Sequence, residues 1–181
     1  MNHGGLVDRH AVATSLDALR RVLRALRVAA RDTLATSGVS AAQLYVLRAL
    51  ADDADASLSE LAARTMTDRT SVKAVVDRLV EGGLVTKKTS TEDRRRAAIR
   101  ITPKGRTLLR GAPRPPTALL VDGLEQLEPA QLRRLARGLR ALTRAMKIDE
   151  DRAGMLFEEL PEGEPAGRAR PRVARRGREP A

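Results

Sequence analysis

The chain has 181 residues, 42% hydrophobic and 31% charged, an ordinary globular balance that suits one domain with appended segments. Aromatic residues make up only 1%, so the core must come from Leu, Val, Ala and Met, which pack well between helices and poorly across a large antiparallel sheet. The absence of cysteine excludes disulfides, thiolate metal sites and cysteine chemistry, and a net charge of +11 points to a polyanionic partner.

No apolar run approaches the ~20 residues needed to span a bilayer. The N-terminus lacks a basic segment followed by an apolar block, so no signal peptide is expected. The chain therefore reads as soluble and cytoplasmic, without a membrane partner. Residues 1–13 show no periodicity and read as a flexible N-terminus. A helix follows over 14–37, with Leu16, Leu19, Leu23, Leu26 and Ala30 forming one seam at alternating spacings of three and four. Arg20, Arg21, Arg24 and Arg27 cover its other sides, and Gly38 ends it.

Residues 38–102 carry the densest set of signals. Ser40 and Gln43 form a capping box ahead of a helix whose Leu44, Val46, Leu47 and Leu50 fall on more than one face, as a centrally buried helix requires. Asp52, Asp53 and Asp55 break it. Ser57 and Glu60 form a second capping box, which opens a short helix with Leu58, Leu61 and Ala62 inward. A turn over 64–67 leads to an amphipathic helix with Val72, Val75, Val76, Leu79 and Val80 as its apolar stripe, stopped by Gly82 and Gly83. Segments 84–89 and 97–102 read as strands around a charged connection, Ser90–Arg96.

Thr102-Pro103 opens another helix, with Leu108 and Leu109, that stops at Gly111. Pro113, Pro115 and Pro116 forbid helix interior there. Helix resumes near Thr117 with Leu120, Leu124 and Leu127. A last helix from Pro129 carries Leu132, Leu135, Leu139, Leu142 and Met146, a seam matching that of the first helix. Residues 103–148 and 14–37 thus read as dimerisation helices flanking the central unit. Residues 149–181 read as a mostly disordered basic tail, with Met155, Leu156 and Phe157 as a short turn able to dock on the body.

Helix, helix, short helix, amphipathic helix, strand, charged loop, strand and helix is the order of a winged helix-turn-helix. The fold class is mainly α with a small β wing. The outer face of the 68–81 helix offers Arg69, Thr70, Ser71 and Lys73 to a major groove wide enough to admit a helix, and its N-terminus favours phosphate. Thr67 precedes that face and Lys87 lies on the first strand, so both join the DNA-binding candidates. Asp77 faces outward further down and would repel DNA at close approach. Arg94, Arg95 and Arg96 at the wing tip suit a narrow minor groove, and Glu92 or Asp93 can pin one of them.

Enzyme signatures are missing: there is no catalytic carboxylate pair, no Gly-rich phosphate loop and no Ser/His/Asp arrangement. His3 and His10 fall in the frayed segment, so no metal site and no cofactor are expected. Tyr45, the only tyrosine, reads as a core residue with a hydrogen-bonded hydroxyl.

Leu58-Ser-Glu-Leu-Ala-Ala-Arg64, Thr70-Ser-Val72, Val76-Asp-Arg-Leu-Val-Glu-Gly-Gly-Leu-Val85, Asp93-Arg-Arg95 and Ile99-Arg-Ile-Thr-Pro-Lys-Gly105 together resemble the MarR family of bacterial transcription regulators over about residues 14–148. The resemblance implies a homodimer joined through its N- and C-terminal helices, with 68–81 as the recognition helix. It makes Arg95 the wing arginine that reaches the minor groove and Asp93 the acid that supports it. It further implies a repressor on a pseudo-palindromic operator, released by a small, often phenolic or anionic, effector. Two departures stand out: the proline break at 113–116 and the basic tail beyond 161. The tail keeps a second reading open, a sequence-tolerant DNA-coating protein.

Overall fold

The computed structural model describes residues 8–51, 55–89, 97–148 and 154–157. The first helix, α1 (Arg9–Ser37), begins five residues before the expected position 14. Its start is set by a cap rather than by the apolar seam: the Asp8 carboxylate accepts the His10 and Ala11 N–H groups, each at 3.0 Å. Residues 9–13, His10 included, are therefore helical and not frayed. Gly38, at φ 69°, closes the helix, and its N–H donates to the Leu34 carbonyl.

Helix α2 (Ala41–Ala51) opens on the expected capping box: the Ser40 N–H donates to Gln43 Oε1 and the Gln43 N–H to Ser40 Oγ. Leu44, Val46, Leu47 and Leu50 are fully buried, because α2 has neighbours on every side. Around it stand α3 (Leu58–Arg64), α4 (Arg69–Glu81), α5 (Pro103–Gly111) and α6 (Pro116–Glu125), with α1 crossing beyond. The Ser57–Glu60 box caps α3 in both directions. Met66, at φ 52°, turns the chain from α3 into α4.

On α4 the buried stripe is Val72, Val75, Val76 and Leu79. Val80, expected on that stripe, is exposed. The helix packs on α2 and α3 along one side, and the stripe ends one position short of Val80. Strands β1 (Val85–Thr89) and β2 (Ala97–Ile101) pair antiparallel, Val85 opposite Ile101 and Lys87 opposite Ile99. Period-2 alternation puts Val85, Lys87, Ile99 and Ile101 on the inner face. Ala56 adds a bridge on the other edge, exchanging two backbone hydrogen bonds with Ile99 at 3.0 and 2.8 Å. Sequence periodicity gave no sign of this single-residue strand.

One apolar cluster joins α2, α3, α4, α5 and both strands, and the turn at 154–157 docks on it as expected, with Met155 buried. Helix α7 (Pro129–Ala145) contributes nothing to that core. None of its residues is buried, and Leu132, Leu135, Leu139 and Leu142 stay 37–44% exposed. Its apolar face lines an open groove of about 450 Å³ against Ser15, Ala18, Leu19 and Val22 of α1. The α7 seam thus faces α1 across a gap that no described residue fills, and Leu19 is the member of the α1 seam that lines it.

Candidate nucleic-acid interface

Helix α4 is held from behind by four buried aliphatic side chains, each worth about 1.5–3 kcal/mol of transfer free energy. Its front presents Arg69, Thr70 and Lys73, all exposed. The N-cap is Asp68, which sequence reasoning passed over. Its carboxylate accepts the Thr70 and Ser71 N–H groups at 2.8 and 2.9 Å, and the Ser71 hydroxyl at 2.8 Å. Those bonds, the Ser71 N–H and hydroxyl foremost, hold its carboxyl below the usual carboxylate range.

Two expectations change here. The helix N-terminus carries its own anion, so a phosphate approaching along the axis meets Asp68 rather than free N–H groups. Ser71 donates its hydroxyl to that cap, leaving it only acceptor capacity toward a partner. Thr67 is half-buried and donates its hydroxyl to the Thr65 carbonyl at 3.1 Å. Arg69, Thr70 and Lys73 are the residues that α4 brings together on its open face.

Asp77 sits between two cations. Lys73 Nζ lies 2.6 Å from one oxygen and Lys87 Nζ 3.8 Å from the other. Lys87 reaches it because the register places Lys87 on the same face of the wing as Val85, toward α4. The bond from Lys73, then its charge and that of Lys87, holds the Asp77 carboxyl below its ordinary range. Asp77 therefore links α4 to the wing while offsetting part of the positive charge of both. Sequence reading saw only its repulsion toward DNA. The i,i+4 spacing from Lys73 was the available signal.

The other face of the wing is pinned by Arg100, whose guanidinium forms a two-point pair with Asp55, both contacts at 2.7 Å. That pair, chiefly through its hydrogen bonds, lowers the Asp55 pKa and raises that of Arg100. Asp55 had read only as a helix breaker. At the wing base, Thr102 Oγ1 donates toward the Gly83 and Leu84 carbonyls and accepts the Gly105 N–H. Lys104 Nζ donates to the Gly82 carbonyl at 2.9 Å. The end of α4, both strands and the start of α5 are thereby one unit. The wing-tip candidates Asp93, Arg94, Arg95 and Arg96 lie outside the described residues.

Where the lobe meets the flanking helices, Arg48 reads the proline break. Its Nη2 donates to the Ala112 and Pro113 carbonyls at 3.3 and 3.2 Å, while Arg114 pairs with Asp122 of α6. Tyr45 packs half-buried beside this junction. Burial first, then the charges of Glu125 and Asp122, pushes its pKa up. Its hydroxyl makes no hydrogen bond among the described residues, contrary to expectation, since a half-buried phenol does not need an internal partner. Among the described residues no group of three His, Cys, Asp or Glu is placed to hold a metal ion, and no helix is long and apolar enough to cross a membrane.

Residues 37–96 match the model of the MarR family, a stretch running from the end of α1 to the wing tip. The chain is 37% identical over 86 residues to a putative transcriptional regulatory protein for the hcr operon of Thauera aromatica, covering 48% of this chain and 52% of that one. It therefore spans about half the length of that relative. It is 28% identical over 109 residues to the HTH-type transcriptional regulator YfiV of Bacillus subtilis strain 168, covering 60% of this chain and 68% of that one. Among solved structures, a MarR family transcription regulator superposes at a TM-score of 0.50 with 23% identity, over 77% of this chain and 93% of its own. A MepR-like protein gives 0.50 with 20% identity, over 81% and 97%. Those two likenesses establish the fold, and the family match falls on the lobe that carries α3, α4 and the wing. Residues 37–96 are thus similar to the MarR family of transcription regulators, and the chain has the winged helix-turn-helix fold.

Proposed function

We propose that the chain is a homodimeric, sequence-specific DNA-binding repressor. The observation that carries the reading is α4: its back is locked into the core while Arg69, Thr70 and Lys73 stand exposed together at its first turns. Arginine suits the two acceptors of a guanine edge, and lysine suits guanine or phosphate. Asp77, tied to Lys73 and Lys87, keeps the later turns of α4 from inserting as deeply. Arg94, Arg95 and Arg96 of the wing enter the adjacent minor groove, with Asp93 supporting Arg95.

The dimer follows from the seams on α1 and α7. Leaving Leu16, Leu135, Leu139 and Leu142 roughly 40% exposed is costly, and a second copy with the same faces covers them. Two recognition helices then lie one helical turn apart, roughly 34–36 Å, on a pseudo-palindromic site. A small effector seated near Arg48 and Tyr45, where lobe and flanking helices meet, would change that separation and release DNA. The reading places the protein in the cytoplasm with its DNA.

In vitro selection from a random duplex pool tests this. The expected result is an enriched imperfect palindrome, bound about 5- to 150-fold more weakly by Arg69→Ala, the range for one good base contact of about 1–3 kcal/mol. A pool that yields no enriched sequence, bound equally by wild type and variant, would overturn it in favour of a sequence-tolerant DNA-coating protein.

A further inference from the structure

The positive charge of this chain is not concentrated in its DNA-reading lobe. Helix α1 holds six arginines against two aspartates, and α7 holds five arginines and no acid. These two helices thus contribute nine of the eleven net positive charges. Within α1, Arg20, Arg24, Arg27 and Arg31 follow one another at spacings of four, three and four, so they share one stripe ~16 Å long. All four are exposed, and none pairs with a carboxylate among the described residues. With Leu23 and Val28 they line a shallow groove of about 400 Å³.

The carboxylates of α1 do not relieve the stripe. Asp17 is engaged by Arg21 at 2.8 Å, and Asp32 lies about 100° around the helix from Arg31. Four like charges at these spacings repel one another unless an external anion sits among them. A second copy brings the same surplus on its own α1 and α7, so dimerisation through these helices does not neutralise it. Guanidinium groups favour phosphate, which they engage at two points. Duplex DNA supplies one negative charge per ~1.7 Å of axis, so a stripe of this length spans several phosphates. A membrane surface would call for large apolar or aromatic side chains between the arginines, and the groove has only Leu23 and Val28.

We propose that the Arg20–Arg24–Arg27–Arg31 stripe of α1 is a second DNA-phosphate-binding surface, separate from α4 and the wing, with which a bound protein holds a second DNA segment. It goes beyond the operator reading and does not need α4 to read sequence.

The test uses the full chain, a biotinylated duplex of about 30 base pairs and a fluorescent duplex of unrelated sequence. Wild type captured on the first duplex should retain the second. R20Q/R24Q/R27Q/R31Q should keep its binding to the first duplex and lose the second at least about tenfold. Its salt dependence on long DNA should flatten by up to about 3.6 in log–log slope, at ~0.9 per lost phosphate contact. R69A/K73A should lose sequence preference and still retain a duplex on the arginine stripe. The four substitutions are at exposed sites and relieve repulsion, so the helical circular dichroism should be unchanged.

Capture of the second duplex and a salt slope both unchanged in the quadruple variant overturn the proposal. So does a quadruple variant that sediments as a monomer, which assigns the arginines to the partner's carboxylates. Binding to phosphatidylserine vesicles without capture of a second duplex overturns it in favour of a membrane surface. Failure of the operator reading alone appears differently, as an unchanged R69A/K73A with the quadruple variant still defective.

Discussion

Gly105 is the position where a single methyl group should do most damage. It lies in the first turn of α5, buried, with its N–H donated to Thr102 Oγ1 at 3.0 Å. A Cβ there would press into the Leu84 carbonyl oxygen and stand 2.8 Å from Ile101 Cγ1. The Leu84 carbonyl cannot retreat freely, because it accepts the Thr102 N–H at 3.0 Å and the Thr102 hydroxyl at 3.1 Å. Overpacking of this kind costs about 1–3 kcal/mol, and one broken hydrogen bond adds about 1 kcal/mol. Ala is favoured over Gly in a helix by about 1 kcal/mol, which offsets part of that. Gly105→Ala should therefore destabilise the protein by about 2 kcal/mol. Urea unfolding at fixed protein concentration reads it as a midpoint lowered by roughly 1 M, with slopes of 1–3 kcal/mol/M. Gly123→Ala is the control: it lies on α6 with nothing within 4 Å of the added methyl, and it should be neutral or stabilising by up to about 1 kcal/mol. A Gly105→Ala protein as stable as wild type would refute the close approach of α5 to the wing base.

Asp68→Ala should cost about 1 kcal/mol by removing the α4 cap, and Asp68→Asn should recover most of it, since Asn caps as well as Asp; urea midpoints of both variants check this. Because the folded pKa of Asp68 is lowered, the charged cap's contribution is present above the ordinary carboxylate pKa and is lost as pH falls through the lowered value. The gap between Asp68 and its Asn variant should narrow over that acidic window, measured by unfolding at stepped pH. Asp77→Asn frees Lys73 and Lys87 from their shared carboxylate, so duplex affinity should rise and its salt dependence steepen by about one unit of log–log slope; an unchanged or weaker complex in fluorescence anisotropy would show that neither lysine approaches phosphate. Arg48→Met removes both donors to the carbonyls of 112 and 113 and should lower stability by about 1 kcal/mol, with amide exchange accelerating first in 112–118.

How much of this was legible beforehand follows the range of each signal. Both capping boxes, the centrally buried α2, the proline break and the Thr102-Pro103 start are local codes read within four residues, and each holds. The α1 start was missed because a seam search begins at Leu16 while the cap at Asp8 lies eight residues earlier. Val80 was misplaced because a hydrophobic stripe does not say where the packing surface ends. Ala56 pairing with Ile99, Asp55 with Arg100, and Arg48 with the break join residues more than forty positions apart, and no periodicity encodes them. The exposure of Arg69, Thr70 and Lys73 was legible because an amphipathic helix that buries one face must show the other. The engagement of Ser71 by Asp68 needed side-chain geometry.

The distribution of charge then argues for a division of labour. In the lobe, Lys73 and Lys87 share Asp77, Arg100 is held by Asp55, and the α4 N-terminus is occupied by Asp68. Each pairing fixes a position and removes some attraction for phosphate. Such a surface discriminates by geometry more than it attracts. The stripe on α1 has the opposite character: four exposed arginines with no described carboxylate partner, on a helix whose shape they do little to set. Electrostatic attraction is long-ranged and indifferent to sequence, whereas base contacts are short-ranged and selective. Placing the two on different elements lets affinity for DNA in general and preference for one site vary independently. Substitutions on α1 should accordingly move the salt slope and leave the preferred sequence alone, and substitution of Arg69 on the open face of α4 should do the reverse.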